Sequence, residues 1–243
     1  MLLLRMEESQ ELTDRMFLIS QRLRERLDNE LPLQWVDKED DFLCQQISKA
    51  LDVAATVKQV MQMFNVDIPL AAPDGRRFQE DFATTIKQRV ATPRAWRQKT
   101  PFGIRAALRT DAHEWQHGFQ DHVGVKAGRW PKMLSHSVLY LAGCLAHTKD
   151  GEEYLAKVEG DAYAVTQYCV AWFCGRPDPI EGPLSSIRTA YNLLDVGPTM
   201  AEDVLKSHYE TMRVGAIPPV TAARICRDVF YEHAGDLRGR VLV

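Results

Sequence analysis

The sequence predicts a mainly α fold of the α+β class, with helices packed around a small sheet. Three observations carry this. Apolar residues recur at helical spacing through most of the 243 residues. Only one stretch, 82–90 (FATTIKQRV), is rich in β-branched residues with partial alternation. Proline and glycine divide the rest into pieces of helix length. The composition is 45% hydrophobic and 26% charged, with a net charge of −3. That excludes a disordered chain, a collagen-like repeat and any global electrostatic pull toward nucleic acid or anionic membrane.

Each element follows from local signals. Over 8–28, Leu12, Met16, Ile19, Leu23 and Leu27 form one apolar stripe, and Arg22, Arg24, Glu25 and Arg26 the solvated face. A second helix is expected over about 40–64, carrying Phe42, Leu43, Ile47, Leu51, Ala54, Val57 and Met61. Residues 65–100 are broken by prolines and hold the strand. Thr100-Pro101 reads as an N-cap followed by proline in the first turn, opening a helix over about 101–122. Further helices are expected over 133–147 and, after an Asp150-Gly151 turn, over 152–174, where Glu152 and Glu153 suit the positive N-terminus and Gly175 stops the helix. Thr199 is expected to cap a helix to Arg213, and 221–233 forms the last. The expected organisation is an N-terminal helical segment 1–64, a core 65–178 and a C-terminal helical segment 179–243, forming one compact domain.

The five cysteines (44, 144, 169, 174 and 226) include no CxxC, so reduced thiols are expected. The three leucines after Met1 are too few for a signal-peptide apolar region, and the longest apolar run, 138–146, is about half a membrane span. The expected location is the cytoplasm, of a bacterial cell or a virus-infected host cell, with no membrane partner.

One motif carries chemistry. His113, Glu114 and His117 form HExxH inside the 101–122 helix. Residues four apart lie about 40° apart around a helix, so both imidazoles can reach one zinc ion. Glu114 stands beside them as general base for a metal-activated water. A third ligand is required. His122 lies about 140° round the helix from His117 and points away. The extended HExxHxxGxxH pattern fails, with Gln120 and Val123 at the positions that need Gly and His. Glu159 is the best third ligand. It stands on an inward face with Leu155, Ala156, Ala162, Tyr163, Thr166 and Val170, and a carboxylate there must be paired or metal-bound. Asp161 fits a solvated face, four residues from Lys157.

These residues bring a resemblance. HExxH followed by a helix with Glu159-Gly160-Asp161-Ala162-Tyr163-Ala164 resembles the gluzincin class of zincin metallopeptidases. The Glu-x-x-Ala element is similar to the third-ligand helix of small zincins of the ImmA/IrrE-like family. It is less like thermolysin, whose pattern has Asp where Tyr163 stands here. The resemblance covers roughly residues 100–175. It implies a zinc peptidase acting on a peptide or protein substrate, with a sheet whose edge strand binds extended peptide; the 82–90 strand lies where that edge would be. In the mechanism that follows, His113, His117 and Glu159 hold Zn2+ and Glu114 moves the proton. Tyr163 and His208 are candidate donors to the oxyanion, and Asp121 and Asp161 candidate orienting carboxylates for the histidines.

Two other readings stand beside this one. A zincin fold can serve as a catalytically silent scaffold with an assembly partner, and a fourth protein ligand such as His136 or His147 would close the site. The stretch 76–109 holds nine basic and two acidic residues around Trp96, a pattern open to a nucleic-acid interface or an acidic substrate segment. The plainer reading is a basic surface that balances the acidic N-terminal third.

Overall fold

The computed structural model describes residues 4–63, 75–81, 83–86, 88–126, 149–190 and 197–243. The expected 133–147 helix, Cys144, His136 and His147 lie outside them. Helix α1 (Gln10–Glu30) opens on Ser9, whose hydroxyl accepts from the Leu12 N–H. Its whole predicted stripe is buried. Strand β1 (Gln34–Asp37), helix α2 (Phe42–Met63), helix α3 (Gly75–Asp81), strands β2 (Thr84–Ile86) and β3 (Arg89–Thr92), and a 3-10 turn at Arg94–Arg97 follow. Then come α4 (Pro101–Lys126), α5 (Lys149–Cys174), α6 (Glu181–Ala190), α7 (Gly197–Arg213) and α8 (Thr221–Ala234).

Several boundaries differ from expectation. The 82–90 stretch is a hairpin, not one strand: β2 and β3 pair antiparallel, Thr85 opposite Val90. The sheet order is β1-β3-β2, with β1 parallel to the central β3. The unpredicted β1 is short and gains its hydrogen bonds from residues far along the chain. Asp150 and Gly151 lie inside α5, and α7 opens at Gly197 rather than on a Thr199 cap. Glu152 is buried, its carboxylate accepting the Gly197 N–H at 3.0 Å. The α4 start is as expected, with Thr100 Oγ1 accepting from Gly103 N at 3.1 Å. In α2, Phe42 and Leu43 are exposed, while Cys44 is buried against Phe78 and Ala91 with Ile47 and Leu51 of the expected stripe packed beside it.

One hydrophobic core draws on α1, α4, α5 and α8, so it crosses both expected segment boundaries. Trp115, Trp172 and Phe173 belong to it as structural residues. A second cluster joins α5 to α6 and α7. Gly160 permits that packing: a Cβ there would lie 2.5 Å from Val204 Cγ1. Cys44, Cys169, Cys174 and Cys226 are free thiols. No described helix is long and apolar enough to cross a membrane.

Candidate metal centre

Helices α4 and α5 cross with His113, His117 and Glu159 between them. Small, fully buried Ala162 brings its backbone beside His113, whereas Ala156 packs toward α6 and α7. His113 Nε2 and His117 Nε2 are 3.2 Å apart. Glu159 is fully buried, with its oxygens 3.3 Å from His117 Nε2 and 3.8 Å from His113 Nε2. Among the described residues this is the one group of three that could hold a metal ion.

The surrounding bonds fix which nitrogens face the centre. Thr166 Oγ1 lies 2.8 Å from the Arg109 carbonyl, which can only accept, so the hydroxyl proton goes there. Toward His113 Nδ1, at 3.2 Å, the same oxygen must accept. His113 is therefore protonated at Nδ1 and presents Nε2 as an acceptor. His117 Nδ1 faces Gln120 Oε1 at 3.2 Å, and Gln120 Nε2 donates to the Val158 carbonyl. His117 takes the same tautomer. Burial, with His117 adjacent, pushes the His113 pKa well below its ordinary value, so the ring stays neutral. Two imidazole nitrogens and a carboxylate thus converge on one point.

Glu114 lies beside this group. Thr85 Oγ1 donates to its Oε2 at 2.6 Å, and its burial raises its pKa. Tyr163 stands edge-on to His113, ring centroids 5.0 Å apart. Burial first, then Glu159, pushes its phenol up to about 12, and its hydroxyl bonds to Ser186.

The remaining candidates sit elsewhere. Asp161, two residues past Glu159 and about 200° round α5, takes no Lys157 partner; it bonds His208 Nε2 at 2.9 Å. Neither it nor His208 joins the ligand group. Asp121 is buried and lies near Tyr154, whose phenol it helps to push up after burial. Gln120 and Thr166, not these aspartates, orient the histidines. Gln120, Thr166 and Thr85 were not singled out by sequence; their roles depend on what another element brings opposite them. Lys38 was also missed: it is fully buried, donates to the Phe78 carbonyl at 2.7 Å, and burial pushes it down to about 8.

The basic stretch is largely neutralised within the fold. Arg89 pairs with Asp41, Arg94 with Asp37 and Asp40, Arg97 with Asp37, Lys99 with Asp14 and Arg105 with Glu7. Arg76 pairs with Glu80, and Arg109 with Asp178. Most of these partners belong to the acidic N-terminal third. No family model, curated protein or solved structure matches the chain.

Proposed function

We propose that this chain is a zinc-dependent metallopeptidase, with His113, His117 and Glu159 as ligands and Glu114 as general base. The observation that carries the reading is the ligand group, two histidines held as Nε2 acceptors against a buried carboxylate. Ligands at about 2.0–2.2 Å on a tetrahedral zinc stand roughly 3.3 Å from one another; the spacings here are 3.2, 3.3 and 3.8 Å. Imidazole and carboxylate suit zinc, and three protein ligands leave a coordination position for substrate chemistry. The HExxH motif and the resemblance to gluzincins point the same way.

Zinc held there supplies Lewis acidity, which polarises a carbonyl and brings the pKa of bound water toward about 7. The chain's own groups do the rest. Glu114 accepts a proton on its carboxylate and returns it to the leaving amine. Its raised pKa, a consequence of burial, suits both halves of that exchange. Tyr163 keeps its phenolic proton and stands edge-on to His113, which makes it the candidate donor for a developing oxyanion. Among the described strands β2 is an edge, and the side away from β3 is where an extended peptide would pair.

The test has two parts. Elemental analysis should give one zinc per wild-type chain and a loss of zinc in Glu159→Ala. Wild type should cleave a pool of fluorescence-quenched peptides, and Glu114→Gln should keep zinc and lose cleavage. Absence of zinc from the wild type sinks the reading. Zinc without cleavage turns it into the silent scaffold.

A further inference from the structure

We infer that Thr85 is a positioning residue for Glu114, and that through it edge strand β2 and the general base are held as one unit. The catalytic consequence rests on the peptidase reading; the tether between strand and helix does not.

The juxtaposition is specific. Thr85 is the middle residue of β2, paired with Val90 of β3. Side chains alternate along a strand, so Thr85 faces α4 while Thr84 and Ile86 take the other face. Its hydroxyl has one proton. Two acceptors lie in range, both on Glu114: Oε2 at 2.6 Å and the main-chain carbonyl at 3.2 Å. The short bond to the carboxylate takes the proton, and such bonds are among the stronger ones. Glu114 is buried, so its carboxylate cannot turn to bulk water instead. With Oε2 held by the strand, Oε1 is the oxygen left to handle a proton.

The other end of the tether is the weaker one. β2 has three residues and, among the described strands, one hydrogen-bonded neighbour. Helix α4 is a long element anchored in the core by Trp115, the residue after Glu114. The bond therefore fixes the strand to the helix as much as it aims the base. A peptide pairing along the side of β2 away from β3 would restrain the strand, and by linkage the same bond would steady Glu114. A substrate that does not pair with β2 leaves the base less well held.

Two measurements test this, one of them independent of metal and of activity. In metal-free protein, hydrogen exchange of the amides of residues 84–86 is compared among wild type, Thr85→Val, Thr85→Ser and Glu114→Ala. Valine keeps shape and β propensity but has no hydroxyl. Thr85→Val and Glu114→Ala should both speed exchange about tenfold or more, while Thr85→Ser stays near wild type. Unchanged exchange in both variants overturns the tether. In zinc-loaded protein, with a quenched peptide that the wild type cleaves, Thr85→Val should lower kcat about tenfold, with KM and zinc content held. Thr85→Ser should restore most of it. An unchanged kcat, or a loss of zinc that accounts for the fall, overturns the positioning role. If the wild type cleaves nothing, the peptidase reading fails and the exchange experiment still decides the tether.

Discussion

Helix α4 carries two polar clusters on different faces, built on opposite rules. On one face, Asp111 is buried and accepts two bonds from Arg24, at 2.5 and 3.0 Å; Arg24 in turn lies 4.6 Å from the Trp35 ring centroid, with Arg97 5.8 Å from the same ring. Every charge there meets its opposite. On the other face, His113, His117 and Glu159 bring two imidazole nitrogens and a carboxylate together, while the Thr166 hydroxyl and the Gln120 amide donate to backbone carbonyls. A matched cluster holds a fold together by itself. A cluster of two imidazoles and a carboxylate could instead hold a metal ion.

That contrast can be broken experimentally. The largest expected effect is metal-dependent. Free zinc at about a thousand times its dissociation constant should stabilise the wild type by about 4 kcal/mol. Thermal unfolding of Glu159→Ala with and without zinc should show most of that gain lost, with metal-free stability little reduced. If the metal-free variant collapses instead, Glu159 is a structural partner like Asp111. Next, Asp111→Ala strands Arg24 and should cost about 3 kcal/mol in denaturant unfolding, equally with and without zinc.

Lys38 sharpens the rule for a lone buried cation, which has a carbonyl and an aromatic ring for company. Its folded pKa is about 8 against an ordinary 10.5. Between those values the unfolded chain binds more protons, so stability should rise with pH, by up to roughly 3 kcal/mol. Cys44, pushed up to about 11 by burial, acts with the opposite sign at the upper end of the range. The difference in pH slope between wild type and Lys38→Met isolates the lysine; equal slopes between pH 8 and 10.5 refute it.

Two smaller effects compare the helices themselves. Gly160→Ala pushes a methyl group into Val204 and should cost about 2 kcal/mol. It should weaken zinc binding as well, because Gly160 follows Glu159, the proposed ligand. Thr100→Ala removes the α4 cap and should cost about 1 kcal/mol. It touches neither cluster, so zinc affinity should not change.

Much of this was legible in the sequence wherever the signal is local or periodic. The α1 stripe is buried as predicted, and Thr100-Pro101 opens α4. Of the inward face that selected Glu159, Glu159 and Thr166 meet α4, while Leu155, Ala156 and Tyr163 pack against α6 and α7. What failed is what depends on a distant partner. β1 is four residues whose hydrogen-bonding neighbour comes some fifty positions later, and no window of sequence contains both. Spacing along its own helix pairs Asp161 with Lys157, whereas α7 brings His208 to it. The hydroxyls of Thr85 and Thr166 have no signature at all, since threonine suits a strand or an inward helix face without any such role. The balance of charge between the basic stretch and the acidic N-terminal third was legible in outline; its individual pairs were not.

The separation of the ligands also bears on how the chain folds. His113 and His117 come from one helix and Glu159 from another, with a long stretch of chain between them. The full group of three exists only once α4 and α5 have docked. If that docking follows the folding transition state, an ion held by all three residues contributes little to the barrier for folding and much to the barrier for unfolding. Its effect would be seen as a longer lifetime of the native state, measured in resistance to proteases and to slow unfolding, before it was seen in the speed of assembly.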